Sequence, residues 1–227
     1  MTKRFGVIFD FNGTLFLDSH KHAETFKALC HDYGIPEFSD EYIVKNIFGK
    51  NNRRIVLESY KPDATEEDIR WYDVYKETKY QELCLAEEGF MHLTKGACEF
   101  LDYLKENNVP YAIATGSPMI NIEFYFKYLD LGKWFTMDNI VYDDGSFPCK
   151  PAPDIYLKAA NVLSLPPEDC IVFEDARAGI LSANNANIGS VWAVIPQAYL
   201  SPLSDETKVD GSIADFTGYM EIIKKYL

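Results

Sequence analysis

Four short stretches of this chain combine carboxylates, hydroxyls, glycine and a lysine in settings that suit phosphoryl chemistry. DFNGTL (residues 10–15) ends an apolar run on Asp10 and then offers Asn12 and Thr14. Thr115, Gly116 and Ser117 follow a second apolar run, Lys150 with Asp154 precedes a helical pattern, and Glu174 with Asp175 closes another run. A transferring phosphoryl group needs an in-line nucleophile, cations on its equatorial oxygens and hydrogen-bond donors. Asp10, Glu174 and Asp175 supply oxygen ligands of the kind Mg²⁺ takes, and the ion would screen an anionic substrate from those acids. Lys150 can bridge phosphate and nucleophile, while Thr115 and the backbone N–H groups around Asn12 and Gly116 can donate to phosphate oxygens. Asp10 is then free to attack phosphorus as a carboxylate nucleophile.

Such groups need a frame that gathers them. Residues 6–11, 110–115, 170–173 and 190–195 are continuous apolar runs, with a weaker one at 140–142, as expected of strands buried on both faces. Helical patterns lie between them at 95–107, 118–129, 153–163 and 176–185, and the tail 215–227 has amphipathic spacing. Alternating strands and helices predict an α/β fold with a parallel sheet, whose ligands bind beyond the carboxyl ends of the strands. All the residues named above fall at those ends. Residues 19–88 break the alternation with helical patterns at 22–33, 39–48, 52–59 and 65–85. The expected division is a Rossmann-like core of 1–17 and 89–227 with an all-helical cap of 18–88 inserted after the first strand. Asp18 and Ser19 lead into that insert and are expected to serve its first helix.

Composition bounds the function. The 227 residues are 47% hydrophobic and 15% aromatic, enough for a packed core without disulfide or metal staples. The formal net charge of −13 repels a nucleic-acid backbone but leaves room for a small phosphate at a local positive site. The five cysteines are widely spaced and form no CxxC pair, which points to free thiols and a cytoplasmic setting. The chain opens on a strand pattern without a signal peptide, and no apolar run approaches the roughly 20 residues of a membrane span.

DFNGTL, Thr115-Gly-Ser117, KPAPD (150–154) and FEDARAGI (173–180), taken in order, resemble the four motifs of the haloacid dehalogenase superfamily. The likeness is greatest to the branch of β-phosphoglucomutase and phosphoglycolate phosphatase, which carries a helical cap after the first strand. It implies an Mg²⁺-dependent hydrolase of a small phosphomonoester, a phosphorylated metabolite, acting as a monomer or weak dimer. It implies Asp10 as nucleophile, Thr115, Gly116, Ser117 and Lys150 around the phosphate, and an Mg²⁺ shell of Asp10, Asp175 and the Asn12 carbonyl beside Glu174. His22 and the stretch GKNNRR (49–54) fall where such proteins place hinge and cap residues that face substrate.

Position 12 departs from the pattern, which usually reads Asp-x-Asp. The second aspartate protonates the leaving oxygen and then activates water, and an amide does neither. General acid–base catalysis contributes typically ~10²–10⁴-fold, so a catalyst with Asn12 is expected to be weakened while its metal site survives. Three explanations stand open: another group such as His22 supplies the proton, the chain is a phospho-ligand-binding module, or the asparagine was introduced to trap an intermediate. Deamidation at Asn12-Gly13 is a fourth. A sugar phosphomutase is the alternative enzyme, and Asn12 counts more heavily against it because it needs proton transfer at both steps. Arg53 and Arg54 are expected to be solvated, although one could read a second anionic group.

Overall fold

A computed structural model describes residues 5–196 and 202–227. Six parallel strands form one sheet: β1 (Gly6–Phe9), β2 (Tyr111–Ala114), β3 (Ile140–Val141), β4 (Cys170–Glu174), β5 (Ser190–Val194) and β6 (Gly211–Ile213), in the order β3-β2-β1-β4-β5-β6. The chain runs outward from β1 to β3, then returns to the other side of β1. The switch in direction therefore lies between β1 and β4, where a doubly wound sheet opens a crevice at its carboxyl edge.

Side chains alternate between the sheet's faces with period two, and both faces are apolar. Val7 and Phe9 of β1, with Ile171 and Phe173 of β4, point to a layer that holds α5 (Ala97–Glu106), α6 (Met119–Tyr128) and α9 (Tyr219–Ile223). Ile8, Cys170 and Val172 point the other way, onto α7 (Asp154–Val162) and α8 (Arg177–Asn185). Phe9 stacks on Phe173 with ring centroids 5.5 Å apart, and Phe100 meets Phe9 edge-on at 5.4 Å. These rings lock β1 and β4 in register near their carboxyl ends, one residue before Asp10 and Glu174.

Residues between β1 and α5 are helical: α1 (Ser19–Asp32), α2 (Asp40–Asn46), α3 (Asn52–Ile55) and α4 (Glu66–Ala86). They bury their own cluster of Phe26, Leu29, Ile43, Ile55, Ile69 and Tyr72, apart from the two layers on the sheet. The α4 start at Thr65 is a reciprocal capping box: the Asp68 N–H donates to the Thr65 hydroxyl at 3.2 Å, and the Thr65 N–H donates to the Asp68 carboxylate at 2.8 Å.

Three expectations are corrected. The helix expected over 52–59 is α3 followed by a π-helical turn, Val56–Tyr60. The tail helix is confined to Tyr219–Ile223, and β6 was not anticipated. The Gly-Ser-Ile of β6 has no alternating pattern to read. It pairs because Gly211 lets the Trp192 ring lie against its backbone, where a Cβ would meet that ring at 2.5 Å.

The Asp68 carboxyl is held down at about 2 by Lys61 first, and then by the Thr65 N–H and hydroxyl. Its folded pKa lies below the ordinary aspartate value of 3.8, so its contribution is present above that value and is lost as pH falls toward about 2. The melting-temperature gap between wild type and Asp68→Ala is accordingly expected to close over that interval. A gap that persists at its lower end contradicts the cap's role.

Candidate active site

Strand register delivers the chemistry. Phe9 pairs with Ile113 and with Phe173, so Asp10 emerges between the ends of β2 and β4. The Asp10 N–H donates to the Phe173 carbonyl at 2.9 Å, and the Thr115 N–H to the Val141 carbonyl at 2.9 Å, carrying the ladder one residue past each strand. One cavity at this edge, about 80 Å³, is lined by Asp10, Asn12, Thr115, Gly116, Ser117, Lys150, Glu174 and Asp175 from the core, and by His22 from α1. These nine residues expected from the sequence thus border one space, although they come from five separate segments, whereas Thr14 and Asp154 do not line it.

Lys150 is the hub. Its Nζ donates to Asp10 Oδ1 and to Glu174 Oε1, both at 2.6 Å, and the lysine is only 2% exposed. Glu174 is fully buried and also accepts from Tyr156 Oη at 3.2 Å and the Ala176 N–H at 2.6 Å. Gly179 sits against it so closely that any Cβ would strike the carboxylate. Gly13 has φ +77°, and a Cβ there would fall 2.0 Å from Asp175, so glycine is required on both counts.

The acids outnumber the cation. Oxygens of Asp10, Glu174 and Asp175 lie within 4.8 Å of one another. Burial pushes the Asp10 carboxyl up to about 7, Lys150 opposes this, and Glu174 adds to it. Burial, Glu174 and Asp10 push Asp175 well above the carboxylate range. Asp175 has only two long hydrogen bonds among the described residues, from Thr14 Oγ1 at 3.5 Å and Ser19 Oγ at 3.4 Å. A crowded, under-satisfied oxygen cluster of this kind fits a divalent cation.

Asn12 is fixed as an amide. Its Nδ2 donates to Asp18 Oδ2 at 2.6 Å and to Tyr125 Oη at 2.7 Å, which turns Oδ1 toward the Ser117 hydroxyl at 2.7 Å. Asp18 does not serve α1 as expected: it occupies the cap position but makes no side-chain cap bond. Its wholly buried carboxylate turns back to the loop and accepts from Asn12, from the Gly13 N–H at 2.9 Å and from Tyr80 Oη. Burial alone would raise its pKa, yet His22 and these donors bring it below the ordinary value.

His22 is buried, stacks on Tyr80 with centroids 3.9 Å apart, and has both ring nitrogens engaged. Lys76 Nζ lies 3.2 Å from Nδ1, and an ammonium only donates, so Nδ1 accepts. The ring hydrogen is thereby assigned to Nε2, which faces Asp18 at 3.4 Å. Burial and Lys76 keep its pKa below 6.5, against the opposing pull of Asp18 and Glu77, so the ring is neutral near pH 7.

Lys76 and Glu77 also line the cavity and were missed. A signal existed: Lys76 interrupts the buried stripe Ile69, Tyr72, Tyr80 and Cys84 of α4 at a position where helical spacing calls for an apolar side chain. Glu77 accepts from Asn52 Nδ2 and from Asn121 Nδ2, each at 2.7 Å, tying α3 and α4 to α6 beside the sheet. Gly49, Lys50 and Asn52 of the 49–54 stretch border the cavity. Arg53 and Arg54 do not, being paired with Glu66 and Glu58.

A fold with a parallel doubly wound sheet, helices inserted after β1, and a lysine bridging acids from the ends of β1 and β4 defines a class. The haloacid dehalogenase-like hydrolase profile matches residues 6–187, and the chain belongs to that family. Among solved structures it is similar to a HAD hydrolase, family IA, variant 3, from Entamoeba histolytica, with 31% identity, 93% coverage of each chain and a TM-score of 0.80. Among curated proteins it is 28% identical over 192 residues to a phosphorylated carbohydrates phosphatase of Thermotoga maritima, covering 83% of this chain and 84% of that protein. It is also 28% identical to a probable pseudouridine-5'-phosphatase of Drosophila melanogaster, covering 92% and 90%. No helix among the described residues is long and apolar enough to cross a membrane.

Replacing Asp18 by Ala leaves the Gly13 N–H, the Asn12 amide and the Tyr80 hydroxyl without their acceptor. An unsatisfied buried donor costs about 1–3 kcal/mol, so the expected loss is roughly 3–5 kcal/mol of stability, read from urea unfolding. A loss under about 1 kcal/mol contradicts the assigned network.

Proposed function

We propose that the chain is a phosphatase that hydrolyses a small phosphorylated metabolite through an aspartyl phosphate at Asp10. The observation that carries this reading is the Lys150 bridge, 2.6 Å from both Asp10 and Glu174 in a buried cluster with Asp175. The family match and the phosphatases among its relatives agree with it.

Asp10 is the nucleophile, and Lys150 holds one of its oxygens so that the carboxylate cannot turn away. Thr115, Ser117 and the backbone around Gly116 surround the phosphoryl oxygens on the cavity wall, and Lys150 neutralises charge as it develops. Mg²⁺ is the expected cofactor: Asp10, Asp175 and the Asn12 main-chain oxygen would hold it beside Glu174, and bound there it supplies charge neutralisation at the phosphoryl group. Residues 18–88 act as the cap over the core of 1–17 and 89–227. His22, Lys76 and Asn52 close the cavity from that side and limit water around the reacting groups.

Asn12 gives no help to the second half of the reaction. Water attacking the aspartyl phosphate must lose a proton, and an amide held by Asp18 and Tyr125 accepts none. Formation of the phosphoenzyme is then expected to outpace its discharge.

Rapid-quench turnover of an aryl phosphate should show a burst of leaving group close to the enzyme concentration, with phosphate on Asp10 by peptide mapping. The Asp10→Asn protein should show neither. Labelling that persists in that variant rules out Asp10 as the acceptor.

Adding Mg²⁺ at about one hundred times its Kd should raise the melting temperature by on the order of 5–10 °C. Asp175→Asn should abolish most of that rise. An unchanged rise in the variant places the ion elsewhere.

A further inference from the structure

Among the described residues, and outside the acids proposed to hold the metal ion, no acid on the cavity wall is free to protonate a leaving group. Both Asn12 Nδ2 hydrogens are taken up by Asp18 and Tyr125, and Oδ1 faces the Ser117 hydroxyl. Neither ring nitrogen of His22 is free, since Nδ1 accepts from Lys76 and Nε2 faces Asp18. The other ammonium groups on the cavity wall are ion-paired: Lys150 with Asp10 and Glu174, Lys76 with Glu77 at 3.0 Å, and Lys50 with Glu58 at 2.8 Å. Asp18 accepts rather than donates and lies behind Asn12, off the cavity wall.

That lack selects among leaving groups. Transfer to Asp10 forms a bond from its carboxylate oxygen to phosphorus and breaks the bond from phosphorus to the leaving oxygen, which keeps the electron pair. An alcohol leaves as a strongly basic alkoxide unless a general acid protonates it, and such assistance is typically worth ~10²–10⁴-fold. A carboxylate leaves as a stable anion and needs no proton. Water then attacks the phosphorus of the aspartyl phosphate, the electron pair returns to Asp10, and orthophosphate and a proton pass to solvent.

Resting on the reading of Asp10 as nucleophile, we propose that the substrate of this site is an acyl phosphate, a phosphoryl group carried on a carboxylate, rather than the phosphate ester of a sugar or other alcohol. The device that enforces this is the Asp18 carboxylate, which holds residue 12 as a hydrogen-bond donor pointing away from the cavity. Asp18 is a positioning residue, and Asn12 is the residue that sets specificity.

The test measures kcat/KM for acetyl phosphate, p-nitrophenyl phosphate, α-glycerophosphate and a hexose phosphate with the full chain and Mg²⁺. Asp10→Asn serves as the blank for spontaneous hydrolysis. The ratio kcat/KM reports transfer to Asp10 and is blind to slow discharge of the phosphoenzyme. Acetyl phosphate should exceed both alkyl phosphates by ~10²-fold or more, with the aryl ester between them. Asn12→Asp should compress the acetyl-to-alkyl ratio by a similar factor. Alkyl phosphates used as well as acetyl phosphate by wild type would overturn the proposal, and so would Asn12→Asp raising every substrate by one common factor. The wild-type series decides by itself if the variant does not fold. Absence of turnover and of phosphoenzyme with every compound would instead overturn the Asp10 reading on which the proposal stands.

Discussion

A lysine ammonium buried between two carboxylates is the constraint around which this molecule is organised. Lys150 reaches Asp10 at the end of β1 and Glu174 at the end of β4, both at 2.6 Å, with almost no access to water. Burying these charges costs several kcal/mol for each ion unless geometry and further hydrogen bonds compensate. The compensation is visible in Tyr156 and the Ala176 N–H on Glu174, and in the strand register that brings Phe9 opposite Phe173. The aromatic layer behind β1 and β4 therefore does more than stabilise the sheet. It sets the separation of the two acids that one lysine has to span.

The arrangement also leaves an imbalance. Asp175 stands beside the Lys150 cluster with only long hydrogen bonds from Thr14 and Ser19, and its neighbours push it toward the protonated form. The same crowding that would weaken a purely structural cluster suits it to a cation. Gly13 and Gly179 show how tightly the cluster is packed, since a single methyl at either would collide with a carboxylate.

A second polar network lies under the cap and is satisfied in a different way. Asp18, Asn12, Tyr80, Tyr125 and His22 form a closed set in which each donor has an acceptor. Closed networks rigidify, and this one fixes the orientation of the Asn12 amide. The Lys76–Glu77 pair extends the network to Asn52 and Asn121, so the helices inserted after β1 are joined to the core by buried hydrogen bonds as well as by apolar contact.

Much of the fold was legible in sequence because a parallel sheet buries both faces and writes its strands as continuous apolar runs. The loops at their ends carried the chemistry in local motifs: Asp10, Thr115, Lys150 and Glu174 with Asp175 each sit one to a few residues beyond such a run or before a helix. β6 was not legible, because its pairing depends on Trp192 lying over Gly211 and not on any pattern within its three residues. Position 12 was recognisable as an amide, but what the amide does depends on partners distant in sequence. Tyr125 is 113 residues away, Ser117 is 105 away, and even Asp18 had to turn back from the head of α1 to meet it. The engagement of both His22 nitrogens likewise depends on Lys76, which only the packing of α4 beside α1 brings within 3.2 Å. Residue types and local spacing determined which groups stand at the edge of the sheet. Hydrogen bonds between distant segments decided which of those groups have a proton to give.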